Sequence, residues 1–511
     1  MFKKIIKNTY ILSIGTLASR ILGFIRDLLL AKFFGTSGIL EAFIISFRLP
    51  NVFRSIFAEG FSDSVATPIL SEHNDDKLKM FEIGRNMLSI SAVVLFVFTL
   101  LGVIFSKYLV AMIAPGFIKE TIKFNMTVSF TRITFIYLFF ISYASNCLAI
   151  LYSLKKFFIS AINPIFLNIS FIVGIVFFRD YAKEYILVVC VLVAGVLQVG
   201  VPVIALKREG FSFKFDLFRA IKDNNVIRMI KLFGPRICSS VIYNLSVFID
   251  TIFSSLVHIV GEGAVASIYY ANRLTQFPFA LIAIAVSKVA IVDLSAYHKQ
   301  NKETDFKNLF VFSFQNIIFF IIPIAIIFIF IPEHLINVIF VRGEFDNNSL
   351  MMTSSVLFFY SFGLFFFCGI KLLVNSFYSL KDAVTPAKVA SLSLIVNVVL
   401  SSILMFPLKI GGVALGSSLA AVVNFWVLYH FFVKKIGNID WKGTKSQFYK
   451  VLVLSLTLGV GSRLLISILY FNKYINLFCV LLSFFLIFFV GGYFLGLRQI
   501  RYITKKIWKK R

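Results

Sequence analysis

Apolar runs recur along the whole 511-residue chain, and each is bounded by polar or charged residues. A helix needs about 20 apolar residues to cross the hydrocarbon core of a bilayer. The runs therefore predict an all-α polytopic membrane protein with fourteen transmembrane helices. The predicted spans are 10–34, 38–60, 86–112, 126–152, 157–178, 184–206, 229–256, 264–290, 309–332, 352–379, 384–407, 411–434, 447–470 and 474–497.

Composition supports a membrane protein. Charged residues make up 15% of the chain, against about 25% in an average soluble domain. The amino terminus begins like a signal peptide, with Lys3, Lys4 and Lys7 ahead of an apolar stretch. That stretch is long, is interrupted by charges and has no small-residue cleavage site, so we expect a retained first span.

The formal net charge is +27. In a soluble protein this charge would indicate a nucleic-acid partner, whereas in a membrane protein Lys and Arg accumulate in cytoplasmic loops. With span-end residues counted on the adjacent side, 34 of the 51 Lys and Arg residues share a side with both termini, and 9 lie on the other side. This bias predicts cytoplasmic termini and contact with membrane lipids, and it makes a nucleic-acid partner unnecessary.

Short sequence matches indicate an internal repeat. "FRLP" at 47–50 resembles "NRLTQFP" at 272–278, and "YSLK" occurs at 152 and again at 378. The matches predict two six-helix lobes, 1–215 and 220–435, and an even number of spans gives both lobes the same orientation. Residues 440–511 then supply two extra carboxy-terminal helices and a basic cytoplasmic tail. Parallel repeats of this kind are typical of transporters.

The first predicted span carries charges near its middle. Arg20, Gly23 and Arg26 lie at i, i+3 and i+6, along one side of a helix. Gly23 removes bulk between the two guanidinium groups. Asp27 follows Arg20 by seven residues, so it returns to nearly the same face and is expected to act as a counter-ion within the cluster.

The second span repeats this arrangement. Arg48, Asn51 and Arg54 again follow i, i+3 and i+6, and Pro50 should kink the helix because it lacks a backbone donor. The predicted supporting acids of this span are Glu41 and Glu59. The second lobe keeps fewer charges inside its spans, and those considered for the site are Asp250, Asn272 and Arg273.

Arginine stays protonated, so these residues do not form a proton relay. Its planar guanidinium binds phosphate through two parallel hydrogen bonds. Four arginines in two spans therefore favour an anionic substrate, most simply one with a phosphate or diphosphate group. The alternative is a salt-bridge cluster that only joins helices, and the residues alone leave both interpretations open.

An enzyme is the rival class, and we expect none here. The chain contains no HExxH, Walker A or GxSxG motif. A dense acidic group, "SEHNDD" at 71–76, lies in a predicted cytoplasmic loop and is expected to be solvated. Five cysteines are scattered through apolar segments without a CxxC pair. No cofactor and no confident metal site follow from the sequence.

Several segments resemble the MurJ/MviN lipid II flippases of the multidrug/oligosaccharidyl-lipid/polysaccharide exporter superfamily. These segments are "SRILGFIRDLLLAKFFG", "FRLPNVFRSIFAEG", "FIDTIFSSL", "YYANRLTQFP", "FVRGEF" and "FYSLKDAVTP". They occur in order between about residues 5 and 435. The resemblance is most specific in the first two spans.

The resemblance implies a lipid II flippase of peptidoglycan biosynthesis in the bacterial inner membrane. Such proteins move the undecaprenyl-diphosphate-linked precursor to the outer leaflet by alternating access. A groove by the last two spans takes the polyprenyl tail, and proteins of cell-wall synthesis or division are implied partners. The family's substrate-binding arginines correspond here to Arg20, Arg26, Arg54 and Arg273.

Three positions depart from the family pattern. Glu41 replaces the usual Asp, and Arg48 replaces a common Lys, which keeps the sign of each charge. Some relatives bind a coupling monovalent cation in the second lobe. Asp250 and Asn397 are weak candidates for such a site, because Ser401 stands where a carboxylate would help.

Two alternatives within the same fold remain open. The chain could translocate another anionic lipid-linked oligosaccharide, which would leave the arginine chemistry unchanged. A cation-coupled drug exporter would instead need carboxylates to bind a cationic drug, and the excess of arginine disfavours it. The resemblance favours lipid II over both.

Overall fold

The computed structural model describes the backbone of residues 2–469 and 471–508, and their side chains except at 2–13, 58–59, 235–246, 503 and 505–508. Every described element is a helix, and the chain divides into two compact units, Met1–Leu256 and Val257–Arg511. The helices of the first unit are α1 (Phe2–Phe34), α2 (Gly38–Arg54), α3 (Thr67–Ser71), α4 (Lys77–Ile104), α5 (Ser106–Ile113), α6 (Thr121–Ser153), α7 (Phe157–Phe177), α8 (Arg179–Ala182), α9 (Ile186–Arg208), α10 (Leu217–Lys222) and α11 (Asn224–Ser254).

The second unit begins with α12 (Val257–Val260), α13 (Ala264–Pro278), α14 (Ala285–Lys299), α15 (Glu303–Phe330) and α16 (Pro332–Phe340). It continues with α17 (Asn347–Ser379), α18 (Val384–Leu408), α19 (Ile410–Ile436), α20 (Thr444–Ile468), α21 (Lys473–Phe494) and α22 (Arg498–Trp508). The lobe boundary predicted at 215–220 stays a prediction.

The apolar runs located the membrane helices well. Within the described residues, 11 helical stretches are long and apolar enough to cross a membrane. Three further stretches lie where spans one, two and seven were predicted: α1, the continuous helix 38–71, and α11. The multi-pass all-α fold is confirmed, whereas the count of fourteen spans stays a prediction.

The internal repeat is visible in the secondary structure. Helices α6 and α17 both contain 33 residues, and each bound shifts by 226 positions, from 121 to 347 and from 153 to 379. Lys155 and Lys381 end the repeated "YSLK" motif, and both adopt a left-handed backbone, with φ of 60° and 59°. The two copies of the motif therefore end their helices in the same way.

Packing inside each unit follows the repeat as well. In the first unit, α6 contacts α2, α4 and α9, and α7 contacts α9. In the second unit, α17 makes the equivalent contacts with α13, α15 and α19, and α18 contacts α19. Helices α20 and α21 are additions to the second unit, where α20 packs against α15 and α21 packs against α20.

Two equivalent helices change their winding after a proline. Ser55–Ala66, which follows Pro50 in the second span, is wound as a π-helix, and Phe279–Ile284, which follows Pro278 in the eighth, is wound in the same way. Proline lacks a backbone N–H, so the carbonyl oxygen one turn before it loses its helical donor. The winding changes five residues after Pro50, and the kink predicted at Pro50 stays a prediction.

Candidate functional site: arginines within the membrane helices

Arg26 on α1 is held by side chains from two helices. Its Nε and Nη2 donate to Oδ1 of Asp27 at 3.1 and 2.9 Å, and its Nη1 donates to Oδ1 of Asn168 on α7 at 3.1 Å. The guanidinium also lies 5.6 Å from the ring centroid of Phe171. Asp27 is 3% exposed. The pair is therefore largely removed from solvent, which strengthens its electrostatic interaction.

Asn168 ties this cluster to the backbone of α1. Its amide nitrogen donates to the carbonyl oxygen of Ser19 at 2.9 Å, one turn before Gly23. A Cβ on Gly23 would come within 3.6 Å of Oδ1 of Asn168, an ordinary contact. The approach of α7 to α1 therefore does not require glycine at position 23.

Arg20 is exposed and, among the described residues, forms no hydrogen bond or ion pair. The expected counter-ion, Asp27, is therefore present, but its partner is Arg26 rather than Arg20. Arg26 contacts the carboxylate of its neighbour Asp27 because the long arginine side chain can bend back along the helix. Arg20 keeps its donors available for a ligand.

The second helix presents its polar residues as predicted. Nε of Arg54 donates to Oδ1 of Asn51 at 2.8 Å, which places the two side chains on one face. Arg48 donates through Nη1 to the hydroxyl of Thr251 on α11. The predicted alignment of Asn51 with Arg54 is thus observed, and α11 contributes a hydroxyl to the position of Arg48.

Glu41 has a structural partner that the sequence did not reveal. It is completely buried at the start of α2, where its Oε2 lies 2.5 Å from Nζ of Lys123 on α6. The same ammonium lies 3.4 Å from Glu120 and 4.2 Å from the ring centroid of Phe117. The arrangement is a buried ion pair between two helices, so Glu41 is committed to Lys123.

Four other predicted site residues are Arg273, Asn272, Asp250 and Glu59. Arg273 on α13 stacks on the ring of Tyr269, with its Cζ 4.7 Å from the centroid, and donates to the Tyr269 hydroxyl at 3.0 Å. Asn272 and Asp250 are partly buried, on α13 and α11. The side chain of Glu59 lies outside the described residues.

Asn397, a weak candidate for a cation site, is engaged within the second unit. Its Oδ1 accepts hydrogen bonds from the hydroxyls of Ser401 and Ser417 at 2.9 and 3.3 Å, which link α18 to α19. The described residues contain no group of three or more His, Cys, Asp or Glu that could hold a metal ion. The role of Asn397 in cation binding stays a prediction.

Asn168, Thr251 and Lys123 are the contacts that sequence reasoning missed. Asn168 carried the clearest signal, because an amide in the apolar run 157–178 needs a polar partner inside the membrane. Thr251 and Lys123 carried none, since both are ordinary residues near the ends of predicted spans. Only the three-dimensional packing of α6 and α11 brings them to the second helix.

The family motif "YSLKDAVTP" has a structural role in the loop after α17. Asp382 accepts from the backbone amides of Val384 and Thr385 at 3.1 and 3.0 Å, and its Oδ2 lies 2.7 Å from Nζ of Lys435. Burial alone would raise the pKa of Asp382, but these hydrogen bonds outweigh it and lower the pKa to about 2. Asp382 therefore stays ionised and holds α18 against α19.

Comparisons with known proteins assign the chain to a family. A family model described as "Lipid II flippase MurJ" matches residues 30–485. The "Probable lipid II flippase MurJ" of Buchnera aphidicola subsp. Schizaphis graminum is 33% identical, covering 99% of this chain and 100% of the relative. The protein of the same description from Rickettsia prowazekii is 31% identical, covering 84% of each chain.

Solved structures share the fold. "Lipid II flippase MurJ, inward closed conformation" superposes with a TM-score of 0.77 at 22% identity, covering 94% of this chain and 97% of that one. An inward-facing multidrug resistance MATE transporter superposes with a TM-score of 0.66 at 14% identity, covering 82% and 94%. The fold defines a polytopic, all-α membrane protein. Within that class, the chain belongs to the MurJ family of lipid II flippases.

Proposed function

We propose that the chain translocates lipid II, the undecaprenyl-diphosphate-linked peptidoglycan precursor, from the cytoplasmic to the outer leaflet of the bacterial inner membrane. Family membership supports the substrate. The proposed substrate-binding residues are Arg20, Arg26, Arg48, Asn51, Arg54 and Arg273. We also propose alternating access as the mode of transport and cytoplasmic positions for both termini.

The observation that carries this proposal is the pairing of the acids on the first two helices. Asp27 pairs with Arg26, and Glu41 is buried against Lys123. Neither carboxylate is therefore positioned to neutralise the exposed guanidinium of Arg20. The first two helices carry four arginines, and their two described acids already have cationic partners. This excess of positive charge favours an anionic ligand.

Preorganisation supports diphosphate as the recognised group. Asp27, Asn168 and Phe171 limit the conformations of the Arg26 side chain, so binding a ligand costs less side-chain entropy. Asn51 similarly orients Arg54. Guanidinium groups held in this way can present two parallel donors to one phosphate group, which is the geometry that phosphate oxygens favour.

The rival substrates differ in the charge that the binding residues must carry. A cationic drug would need an ionised carboxylate, and the described acids of α1 and α2 are already paired. A different anionic lipid-linked oligosaccharide would use the same arginines, so only family membership separates it from lipid II. The coupling ion and any protein of the division machinery stay proposals without a described site.

Cells depleted of their own lipid II flippase and supplied with this chain provide the test. Lipid II headgroups that reach the outer leaflet become accessible to an enzyme or label added outside the cells. We expect the chain to restore this accessibility, and we expect Arg20→Ala to abolish it at normal protein abundance in the membrane. If the chain inserts normally and accessibility is not restored, the proposed substrate is wrong.

A further inference from the structure

A second group of cations lies in the second unit, on α14 and α17. Lys288 is exposed on α14, and Lys371 is partly buried on α17, which packs against α14. The two ammonium groups are near enough to repel each other electrostatically. Both lysines lie within predicted spans, where unpaired charges are rare and mark functional positions.

Acidic partners for these lysines are lacking in the described part of the chain, where neither lysine forms an ion pair. Asp382, which follows α17 in the next loop, is bound to Lys435. Asp293 follows Lys288 by five residues, so the helical twist turns it to another side of α14. Two cations of the first unit do have acidic partners: Arg26 has Asp27, and Lys123 has Glu41.

Neutral hydrogen-bond donors accompany the two lysines. Asn375 follows Lys371 by one helical turn, so it lies on the same face. It is 8% exposed, and its amide makes no hydrogen bond to any described residue. Ser287, next to Lys288, is fully buried, and its hydroxyl also finds no partner among the described side chains and backbone. The cluster therefore offers donors and positive charge in excess of acceptors.

The position of the cluster indicates where its ligand comes from. Lys371 lies eight residues before the end of α17 at Ser379, which is about 12 Å along the helix axis. The predicted orientation places that end in the cytoplasm. A lysine side chain is long enough to extend from this depth toward the phosphate level of the cytoplasmic leaflet.

We propose that Lys288 and Lys371, assisted by Ser287 and Asn375, form a binding site for a lipid-borne phosphate group. Two mobile ammonium groups bind phosphate as point charges, without the fixed orientation that guanidinium groups impose. The phosphate belongs either to the polyprenyl diphosphate carrier or to an anionic phospholipid. The site does not depend on the transport substrate proposed above.

Binding of two lipid probes to the purified full-length protein in neutral detergent tests the site. The probes are undecaprenyl diphosphate and phosphatidylglycerol, and native mass spectrometry gives their affinities. We expect the double variant Lys288→Gln/Lys371→Gln to bind at least one probe about tenfold more weakly, the loss expected for a charge-assisted hydrogen bond. Weaker binding of undecaprenyl diphosphate would identify the carrier as the source, and weaker binding of phosphatidylglycerol alone would identify the phospholipid.

Two controls separate charge at this site from general effects. Lys299→Gln removes a lysine from the last turn of the same helix and should leave both affinities unchanged. Lys288→Arg/Lys371→Arg keeps both charges and should retain binding. If the double Gln variant does not fold, each single Gln variant is measured in its place. Unchanged affinity for both probes in the folded Gln variants would overturn the proposal.

Discussion

Arg26 and Asn168 are joined by a hydrogen bond of 3.1 Å between α1 and α7. The bond crosses 142 positions of sequence and fixes one side of a guanidinium group whose other side is held by Asp27. Asn168 does not carry charge, so it orients Arg26 without neutralising it. Its expected role is therefore that of a positioning residue for substrate binding.

Asn168→Ala should reduce headgroup translocation about tenfold, because a hydrogen bond to a charged group contributes about 1.5 kcal/mol or more. Protein abundance should remain normal. The matched control is Ile169→Ala, which changes an exposed neighbour on the same helix and should transport at the wild-type rate. Wild-type transport by Asn168→Ala would show that Arg26 does not need this partner.

The pair of Glu41 and Lys123 should act mainly through stability. Glu41→Gln leaves a buried ammonium without its closest partner, and removing one member of a buried pair costs about 3–5 kcal/mol. Thermal unfolding of the purified protein should show the loss, and Glu41→Leu/Lys123→Met should recover most of it. Glu120→Gln, at the more exposed carboxylate, serves as the control and should change stability little. A stable Glu41→Gln protein would contradict the structural role.

Asp382 should make stability depend on acid pH. Its pKa in the folded protein is about 2, below the ordinary value of 3.8. The stabilisation is therefore complete above about pH 4 and is lost as the pH falls toward the folded-state pKa. The difference in unfolding temperature between wild type and Asp382→Asn should be constant from about pH 7 to 5 and shrink below about pH 4. A difference that does not change with pH would contradict the contribution of the ionised carboxylate.

The sequence predicted the membrane helices because hydrophobic length depends on local composition alone. It also predicted that Asn51 and Arg54 share a face, since positions three apart on a helix are neighbours. The repeat was visible for a similar reason, because "YSLK" forms the same helix end in both copies. These features need no knowledge of which helices touch.

Contacts between helices were the part that the sequence could not supply. The heptad spacing associated Asp27 with Arg20, but the Asp27 carboxylate pairs with the adjacent Arg26, which also donates to Asn168. Glu41 was expected to support the substrate site, yet Lys123, 82 positions away, forms a buried pair with it. Such pairings depend on how α2, α6 and α7 pack, and no local pattern records that packing.

Arg48 should tolerate replacement by lysine, which we expect Arg26 and Arg54 not to tolerate. It donates a hydrogen bond to the hydroxyl of Thr251, which an ammonium group can also donate. Arg48→Lys should therefore retain most of the translocation activity, measured per unit of inserted protein. Arg48→Met removes the charge as well and should transport poorly. Equal loss in both variants would show that the guanidinium shape matters at this position too.

Headgroup translocation by Arg26→Lys and Arg54→Lys tests the central claim most directly. If the arginines bind diphosphate through paired guanidinium contacts, lysine cannot replace them, because it does not present two parallel donors from one plane. Losing one charge-assisted bond costs about 1.5–3 kcal/mol, or about a ten- to hundred-fold drop in affinity. We therefore expect both variants to insert normally and to move lipid II at least about tenfold more slowly than wild type. Wild-type rates in both would show that positive charge alone suffices and would contradict the account.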